Sequence, residues 1–593
     1  MPILRFATPA AILCGLACAL ALPAVTPDYG AHFSLNATTD PRFAAYENSA
    51  AARLDNDLAA LINQATTTLD CADYNLTAPV VADALVAAKG RGVQVRFITE
   101  HDNLVQAATA TQMQKLTNAG IPWIDDTFGG QSGGNLMHDK FLVADAGVTA
   151  SPVRDLVVTG SYNWTQQATL YNAENIVTVR DAALAQAYLA QFNILWGGSG
   201  ATPDSVNSRF STAKPADTAH PVHPGCPSVN ATAVFGPKGN LRQALIDAVN
   251  SADFEIDFSI DVFTDDAVQQ AMLARRAAVP GLIVRGVFET STALSTGSEF
   301  PAMNGDAVAG AWNPRADILK DAVAGGGQLH HKYLIVDAAH EDSDPILVTG
   351  SPNWSGGGFS GNDENLIVFH DARLANDFLQ EFAARYYEAG GTAMTAPAAG
   401  AFAAARPPYF PCGLISAAAT GSHGSVLLNW DAALDLNPPL SYQIYDSGMS
   451  GGENYSLPRL TTGATSVLVT GLSDGAARWF VVRASDGGSR QESNVLEKSA
   501  TPVDLYPPLP PALTIAKAAA GALQFTWTIP ATDTAGGAEA IQNFELYQAA
   551  TPAFPLTATA TYGAAATSAL RTPPASTQFF TLRAVDLAGN RSD

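Results

Sequence analysis

The 593-residue sequence predicts an α/β region built from two related halves, followed by two smaller all-β sandwiches. Three observations support this prediction. Residue patterns between positions 54 and 175 recur between positions 241 and 365, each copy mixes helical and strand periodicity, and residues after position 412 show short alternating strands. Because 47% of the residues are hydrophobic, the chain can bury several cores.

The internal repeat can be read from the residue numbers. The first helix and strand match at an offset of 187, the next strand at 189, and the later motifs at 190 and 192. A spacing that drifts so little indicates duplication of one unit. The matched positions are Leu58, Ile62 and Asp70 with Leu245, Val249 and Asp257; Gly92, Val95, Arg96 and Glu100 with Gly281, Val284, Arg285 and Glu289; His138, Lys140 and Asp145 with His330, Lys332 and Asp337; and Gly160, Ser161, Asn163, Trp164, Glu174 and Asn175 with Gly350, Ser351, Asn353, Trp354, Glu364 and Asn365.

Each copy is predicted to begin helix, strand, helix, strand, with two further strands after them. Apolar residues at helical spacing open each copy, so that face of the first helix is predicted to be core. Residues 254–262 alternate apolar side chains with acidic or small polar ones, which predicts a half-buried strand with a solvated acidic face. The apolar helix positions are Leu54, Leu58, Leu61 and Ile62 in the first copy and Leu241, Leu245 and Val249 in the second; the polar strand positions are Glu255, Asp257, Ser259 and Asp261.

The charge balance disfavours a general nucleic-acid coat protein. The sequence has 32 Lys and Arg and 55 Asp and Glu, which gives a net charge of −23. A net negative charge of this size repels polyanions such as nucleic acids. Residues 413–593 carry 9 basic and 14 acidic side chains, so 18 of the 23 net negative charges lie on residues 1–412.

The N-terminus predicts export. After Arg5, residues 10–22 form a short apolar run followed by small residues, the pattern of a cleaved signal peptide. The run is shorter than the ~20 residues that cross a bilayer, so an anchor or a buried helix is the minor alternative. A lipoprotein signal ending at Cys18 is a further alternative. No other stretch is typical of a membrane span, so the expected location is secreted, periplasmic or extracellular.

Removal of the signal would leave three cysteines. Cys226 and Cys412 lie in Pro-rich segments that bracket the second copy, and export permits a disulfide between them. Cys71 lies in a strand-like run and is predicted to be a free, buried thiol.

Two strands carry a duplicated histidine and lysine. The two-residue period of a strand places His138 beside Lys140 and His330 beside Lys332, while His331 points to the opposite face. An imidazole can attack phosphorus or move protons near neutral pH, and an adjacent ammonium can stabilise charge on phosphoryl oxygens. The duplicated pair therefore predicts phosphate chemistry.

A second duplicated segment follows each of these strands. Gly-Ser-x-Asn-Trp occurs at 160–164 and 350–354, where short polar side chains can donate hydrogen bonds to a phosphate. Either segment alone would be typical of an ordinary turn, and the duplication reverses that preference. The side chains predicted to bind phosphate are those of Ser161, Asn163, Ser351 and Asn353.

The pattern His-x-Lys-x4-Asp followed by Gly-Ser-x-Asn, present twice, resembles the phospholipase D superfamily over roughly residues 45 to 390. The resemblance implies a pseudo-twofold pair of α/β halves that share one active site, without a metal or other cofactor. One histidine would become a covalent phosphohistidine, and the other would act as acid and then as base. Such a coupled pair should give a bell-shaped pH–rate profile.

The resemblance also implies a role for each position of the motif. The motif histidine of the first half is expected to be the nucleophile, with the reverse order as the alternative. The implied roles are nucleophile for His138, leaving-group acid for His330, phosphoryl binding for Lys140, Lys332, Asn163 and Asn353, orientation of the histidines for Glu174 and Glu364, and a structural role for Asp145 and Asp337.

Past residue 412 the sequence carries no paired ionisable motif. Strand patterns at 426–430, 442–445 and 480–486 return at 525–527, 544–547 and 580–586 and resemble fibronectin type III strands. Trp430 and Trp527 are predicted to be core residues rather than sugar-binding ones. The second sandwich is expected to lack its last strand, because the sequence stops at Asp593.

These features predict a secreted phosphodiesterase that hydrolyses or transfers phospholipid head groups, acting as a monomeric catalytic unit at a membrane surface. A metal-independent endonuclease is the alternative, since Gly-Ser-Tyr-Asn-Trp-Thr is also similar to the compact nuclease branch, but few Lys and Arg lie near either motif. An adhesion protein with a vestigial catalytic domain is a third hypothesis, disfavoured by the intact motifs. The predicted boundaries are 1–24 signal peptide, 25–205 first half, 206–228 linker, 229–395 second half, 396–412 linker, 413–503 first sandwich and 504–593 second sandwich.

Overall fold

The computed structural model describes residues 29–34, 53–131, 134–224, 229–340, 343–392, 407–410, 412–433, 435, 439–555 and 557–593. The predicted signal peptide and Cys226 lie outside these residues, so the signal and the Cys226–Cys412 bridge stay predictions. Cys71 is free and buried, as predicted. Within the described residues, no helix combines the length and the apolar character that crossing a bilayer requires.

The first half alternates strands and helices. Its elements are β1 (Tyr29–Phe33), α1 (Leu54–Gln64), β2 (Thr68–Asp73), α2 (Pro79–Gly90), β3 (Gln94–Thr99), α3 (Ala107–Asn118), β4 (Trp123–Asp125), β5 (Lys140–Ala144), β6 (Leu156–Gly160), α4 (Gln166–Leu170), β7 (Asn175–Arg180) and α5 (Ala182–Trp196).

The second half repeats this order. Its elements are β8 (His220–Val222), β9 (Asn230–Phe235), α6 (Leu241–Ser251), β10 (Glu255–Ile260), α7 (Asp266–Ala278), β11 (Ile283–Phe288), α8 (Phe300–Met303), β12 (Asp317–Lys320), β13 (Lys332–Val336), β14 (Ile346–Gly350), α9 (Gly356–Ser360), β15 (Asn365–His370) and α10 (Ala372–Glu388).

The two sheets share one strand order. The first runs β7-β6-β5-β2-β3-β4 and the second β15-β14-β13-β10-β11-β12, with β1 added beside β7 and β9-β8 beside β15. In each sheet the first three strands are antiparallel neighbours and the last three are parallel. The strand β8 lies inside the segment predicted as a linker and pairs with β9, so that segment contributes to the second sheet. The duplication seen in the sequence is therefore also a duplication of topology.

The same capping chemistry starts the last helix of each half. The Asp181 side chain accepts a hydrogen bond from the Leu184 backbone N–H at the start of α5, and Asp371 accepts one from Leu374 at the start of α10. An aspartate at this position satisfies a backbone donor that the helix itself cannot. These two long helices contribute to one core shared by both halves, together with the inner faces of the sheets. Separate cores lie under the other helices of each half.

The predicted solvated face of strand β10 is wrong. Every residue of the strand is buried, and Glu255 and Asp257 both accept hydrogen bonds from the Arg285 guanidinium of β11. Asp70 and Arg96 make the corresponding pair in the first half, with Nε and Oδ1 2.5 Å apart. Alternation in the sequence cannot distinguish a solvated acidic face from one buried against a cation on the next strand.

Asp145 and Asp337, for which a structural role was expected, hold adjacent backbone segments in place. The Asp145 carboxylate accepts hydrogen bonds from the backbone N–H groups of Thr66, Thr67 and Thr68 and from the Ser151 hydroxyl. Asp337 accepts the equivalent bonds from the backbone of residues 253–255 and from the Ser343 hydroxyl. Each carboxylate ties the end of the His-Lys strand to the start of its neighbour.

Replacing Asp145 by alanine is expected to lower the free energy of unfolding of the catalytic region by about 3 to 5 kcal/mol, because three partly buried backbone donors and the Ser151 hydroxyl lose their charged acceptor. Asp145 also has a φ of 47°, which aspartate tolerates better than alanine. Calorimetry of the full chain measures the effect. Asp83→Ala is the control, since this exposed carboxylate forms a surface ion pair with Lys115, and its loss should cost under about 0.5 kcal/mol. Equal stability of the two variants would contradict the assigned role.

The C-terminal residues form two β-sandwiches. The first contains β16 (Leu414–Ala419), β17 (Val426–Trp430), β18 (Ser441–Ser447), β19 (Leu460–Thr462), β20 (Ser466–Val469), β21 (Arg478–Ser485) and β22 (Glu497–Ala500), and the second contains β23 (Leu513–Lys517), β24 (Leu523–Trp527), β25 (Ile541–Ala549), β26 (Ala560–Gly563), β27 (Ser568–Arg571) and β28 (Phe579–Asp586). The sheets are β16-β17-β20 with β19-β18-β21-β22, and β23-β24-β27 with β26-β25-β28. Trp430 and Trp527 are buried, as predicted.

Candidate active site

The two halves meet where the His-Lys strands begin. The backbone N–H of His138 donates to the carbonyl of Asp363 in the second half (2.9 Å), and that of His330 donates to the carbonyl of Ala173 in the first (3.0 Å). Short parallel bridges, Met137 with Asp363 and Ala173 with Leu329, extend these contacts. Each histidine is therefore fixed against the segment of the other half that carries a motif glutamate.

The histidine–glutamate pairs cross between the halves. Nδ1 of His138 lies 2.8 Å from Oε1 and 2.9 Å from Oε2 of Glu364, and Nδ1 of His330 lies 2.8 Å from Oε1 and 2.9 Å from Oε2 of Glu174. Both glutamates are fully buried, whereas the histidines keep a small exposed fraction. Because Nδ1 faces a carboxylate, Nε2 of each ring is the nitrogen left for chemistry. One site thus needs residues from both halves.

The motif serines position these glutamates. The Ser161 hydroxyl donates to Glu174 (2.7 Å) and the Ser351 hydroxyl donates to Glu364 (2.5 Å). Both serines are fully buried. While this bond is made, the hydroxyl has no hydrogen left to donate to a phosphate. The geometry favours the serines as supports of the histidine–glutamate pairs.

The motif asparagines, unlike the motif serines, are not hydrogen-bonded to the neighbouring side chains that the structure describes. The Oδ1 atoms of Asn163 and Asn353 are buried without a hydrogen-bond partner, and neither side-chain amide bonds to any described residue. Buried amides without partners are costly, so these groups are candidates for contact with a bound ligand.

The two lysines are buried beside their histidines. Lys140 Nζ donates to the carbonyl of His138 (2.7 Å), and Lys332 Nζ donates to the carbonyl of His330 (2.8 Å). Only one of the three ammonium hydrogens is used in the Lys140 contact, so others can bind an anion. The structure therefore brings the predicted histidines, lysines, serines and glutamates together in one duplicated cluster.

Each motif histidine lies beside a lysine and a glutamate, but the next side chain in contact with it differs between the halves. The Tyr74 ring packs on His138 with 4.9 Å between ring centroids, and it lies 5.1 Å from Lys140 Nζ. At the corresponding place in the second half stands Asp261, whose Oδ2 is 3.2 Å from Lys332 Nζ and 3.7 Å from His330 Nε2. Both ring nitrogens of His330 thus face carboxylates, which suits the protonated ring, because both of its nitrogens are donors.

The electrostatics of the cluster follow this asymmetry. Burial, reinforced by Lys140, Lys332 and His330, holds the pKa of His138 well below its usual range. Burial also lowers the pKa of Lys140 to about 8 and raises the pKa of Glu364 to about 7. Against the effect of burial, the nearby Lys332 and His330 keep the pKa of Asp261 below its ordinary value. His138 is therefore neutral at pH 7, with a free lone pair on Nε2.

Three further acidic residues support the site and were not assigned a role from sequence. Glu100 accepts a hydrogen bond from the backbone N–H of Met137 (2.6 Å), and Glu289 accepts one from Leu329 (2.7 Å). Each bond fixes the residue directly before a histidine. The repeat of Glu100 as Glu289 could have indicated this role from sequence, whereas the residue that corresponds to Asp261 in the first half is Tyr74, which is not acidic.

The comparisons with known proteins agree with this geometry. Residues 58–196 and 245–386 match the profile of the family described as cardiolipin synthase, PLD-like domain. A mitochondrial cardiolipin hydrolase of Xenopus tropicalis is 38% identical over 136 residues, 23% of this chain and 58% of that protein. A phospholipase D of Rickettsia bellii is 32% identical over 116 residues, 20% of this chain and 50% of that protein. This chain thus spans little more than half the length of these relatives.

A solved structure, the phospholipase D family member Nuc of Salmonella typhimurium, is also similar. It is 27% identical, and the match covers 28% of this chain and 93% of Nuc with a TM-score of 0.22. Residues 58–196 and 245–386 of this chain are thus similar to PLD-like domains, and this similarity, with the relatives named above, supports a phosphodiesterase-type role at the level of the family.

Proposed function

We propose that the chain is a phosphodiesterase that removes the head group of phospholipids through a phosphohistidine intermediate formed on His138. The observation that carries this proposal is the crossed arrangement of His138 with Glu364 and of His330 with Glu174. It places two imidazoles in one site, each with its Nδ1 held by a carboxylate and its Nε2 left for the reaction, which is what a nucleophile and an acid–base partner require.

In the first step, Nε2 of neutral His138 attacks phosphorus. The bond from phosphorus to the leaving-group oxygen breaks, and His330 gives its Nε2 proton to that oxygen. The buried ammonium groups of Lys140 and Lys332 stabilise the charge that develops on the non-bridging oxygens, and the Nδ2–H groups of Asn163 and Asn353 donate hydrogen bonds to the same oxygens.

In the second step, His330, now neutral, takes a proton from water. The resulting hydroxide oxygen attacks phosphorus, the bond from phosphorus to Nε2 of His138 breaks, and a phosphate monoester leaves. His138 returns to its neutral form with its Nδ1 hydrogen directed at Glu364, and His330 is again protonated. The cycle balances without a metal or another co-reactant.

The asymmetry of the site supports this order of roles. His138, whose pKa is held low, has the lone pair that a nucleophile needs. His330, which faces Glu174 on one nitrogen and Asp261 on the other, has the surroundings of a proton donor. The order agrees with the expectation from sequence, and Asp261 supplies a physical reason for it.

Phospholipid is the substrate class favoured by charge and by the relatives. Residues 1–412 carry 18 of the 23 net negative charges, which opposes binding of a polyanion such as DNA. The relatives named above are a cardiolipin hydrolase and a phospholipase D. The test incubates the full chain with vesicles of phosphatidylcholine or cardiolipin and separately with single-stranded DNA, without added metal. Head-group release without DNA cleavage is expected, and DNA cleavage without lipid hydrolysis would establish the nuclease alternative.

The pH dependence of kcat/KM is expected to be bell-shaped, and groups of the site whose pKa values are shifted contribute to its acidic and alkaline limbs. His138 must be neutral, so activity rises with pH through its depressed pKa, below the ordinary histidine value of ~6.5. Lys140 must be charged, and its pKa of about 8 makes loss of its proton one cause of the fall in activity at alkaline pH; deprotonation of the acid His330 is the other. In Lys140→Arg the side chain stays charged at all these pH values, so any part of the alkaline limb that belongs to Lys140 should move to higher pH even if the rate drops. An alkaline limb that stays in place in this variant would assign that limb to His330 and not to Lys140.

The location and the accessory domains complete the proposal. The N-terminal pattern supports export, and N-terminal sequencing of the protein found outside the cell would test the cleavage near residue 24. The three-plus-four strand arrangement of the first sandwich supports the resemblance to fibronectin type III domains. In the second sandwich, β28 pairs with β25 and, among the described strands, has no partner on its other side, where β22 lies in the first.

A further inference from the structure

A group of carboxylates lies where the two C-terminal sandwiches meet. Asp504 lies on the connection between β22 and β23, Glu539 lies just before β25, and Asp586 ends β28. Each of the three residues contributes one carboxylate oxygen, and these three oxygens lie within 4.8 Å of one another. The sequence brings no two of these residues close, so the cluster is a product of the fold.

These carboxylates hold oxygens that nothing in the described structure satisfies. Both side-chain oxygens of Asp504, Oδ2 of Asp586 and Oε2 of Glu539 are buried without a hydrogen-bond partner. Asp504 is 7% exposed and Asp586 is 0% exposed. The other oxygens of Asp586 and Glu539 accept backbone hydrogen bonds from Asn590 and Ala540, which fix the orientation of both carboxylates. Burial of unpaired carboxylates is costly unless a cation joins them.

The first sandwich shows how the same position is neutralised elsewhere in the chain. Asp486 ends the strand region of β21 as Asp586 ends β28, and it accepts hydrogen bonds from the backbone of Arg490 and from the guanidinium Nε (2.8 Å) and Nη2 (2.6 Å) of Arg490. In the second sandwich Asn590 replaces this arginine, and its side chain donates to the backbone carbonyl of Asp504 (3.2 Å) instead. Asp586 therefore accepts the same backbone hydrogen bond in the turn, but among the described residues no guanidinium pairs with it.

Among the described residues, no lysine or arginine forms an ion pair with Asp504, Glu539 or Asp586. The nearest cationic candidate is His423, but its Nδ1 is 2.6 Å from Asp474 and 3.8 Å from Asp504. Burial and the neighbouring carboxylates raise the pKa of Asp504 to about 6, and burial foremost raises the pKa of Glu539 to about 7.

We propose that Asp504, Glu539 and Asp586 bind a calcium ion that fixes the second sandwich to the connection from the first. The donors are all hard oxygens, and Ca²⁺ takes six to eight of these in flexible geometry, completed by water, whereas Mg²⁺ demands a near-ideal octahedron. Glu539 is only half-buried, which leaves a path for entry. The ion replaces the guanidinium that the first sandwich uses. The backbone N–H of Leu505 donates to the carbonyl of Gly421 (2.7 Å), so the same connection also contacts the first sandwich.

The test uses the full chain, freed of metal with EDTA and titrated with CaCl2 at constant ionic strength. Calorimetric unfolding should show one transition that rises by about 5 °C at saturating Ca²⁺, and equilibrium dialysis with radioactive calcium should give one ion per chain at this site. Asp504→Asn and Asp586→Asn should each weaken Ca²⁺ binding at least ~10-fold and remove the calcium-dependent shift. Asp486→Asn is the matched control, because its carboxylate already has Arg490, and the shift should persist.

The readout is the response to calcium rather than absolute stability, so a generally destabilised variant does not obscure it. Circular dichroism checks that each variant keeps its β structure, and Glu539→Gln gives a third, milder substitution at the half-buried position. The proposal is overturned if wild-type protein shows no calcium-dependent shift, if Mg²⁺ or Zn²⁺ at the same concentration produces the same shift, or if Asp486→Asn loses the response as fully as Asp586→Asn. None of these outcomes depends on phosphodiesterase activity.

Discussion

His138→Ala is expected to reduce kcat for phosphodiester hydrolysis by at least ~10⁴-fold, because the variant has no nucleophile from which to form the covalent intermediate. The site offers no substitute, since Nε2 of His330 is occupied with proton transfer and faces Asp261. Choline release from vesicles, or hydrolysis of a chromogenic phosphodiester, measures the loss. Circular dichroism should show that the variant keeps its fold, although removal of the partner of the buried Glu364 carboxylate should lower the unfolding temperature.

His370→Ala is the matched control for this experiment. His370 ends β15 in the second half, and its partly exposed side chain bonds to Asp344 outside the cluster of motif residues. Its replacement should leave kcat within about twofold of wild type. Substantial turnover by His138→Ala, with the control behaving as expected, would exclude the shared-site mechanism.

His330→Ala is expected to lower kcat by ~10²- to 10⁴-fold for natural substrates, because the leaving alkoxide is no longer protonated and water is no longer activated. The effect should depend on the leaving group. With p-nitrophenyl esters, whose leaving group needs little protonation, the first step should survive and release about one nitrophenolate per chain in a burst. The second step, which needs the base, should then stall.

The opposite pattern of bursts in the two variants would show that the roles of the two histidines are exchanged. If His138→Ala gave the burst and His330→Ala did not, His330 would be the nucleophile. Asp261→Asn offers an independent check, because it removes the carboxylate that faces His330 Nε2 without touching His138. Its activity should fall more for alkyl than for nitrophenyl esters.

Much of the catalytic region could be predicted from sequence because the unit is duplicated. A lone Gly-Ser-x-Asn segment would be typical of a turn, but its recurrence after each His-Lys strand indicated function. The two-residue strand period correctly separated His330 from His331, which packs on the opposite side with its Nε2 3.3 Å from Glu381 of α10. Local periodicity sufficed for these features because they depend on neighbours within one strand.

The features that sequence did not reveal depend on contacts between distant segments. The motif serines were expected to bind phosphate, but their hydroxyls bond to Glu174 and Glu364, and the crossing of these glutamates to the other half has no local signal. The acidic face of β10 was predicted to be solvated because its partner, Arg285, lies on another strand. The calcium site proposed here assembles residues from a connection and two strand ends, and no metal was predicted from sequence.

Asp261 shows why duplication alone is an incomplete guide. A search for matched positions finds what the two halves share, whereas a nucleophile and an acid must differ. The aromatic ring of Tyr74 beside His138 and the carboxylate of Asp261 beside His330 provide that difference. The motif residues are therefore the same in both halves, and the site is functionally asymmetric because the side chain beside each motif histidine differs.

The central claim, one site shared by two halves with His138 as its nucleophile, is tested most directly by mass spectrometry of the covalent intermediate. His330→Ala protein is mixed with a nitrophenyl phosphodiester, denatured at alkaline pH where phosphohistidine survives, and digested. We expect one phosphoryl adduct per chain, on the peptide that contains His138. An adduct on a residue other than His138, adducts on both halves of a wild-type chain, or a burst without any adduct would contradict it.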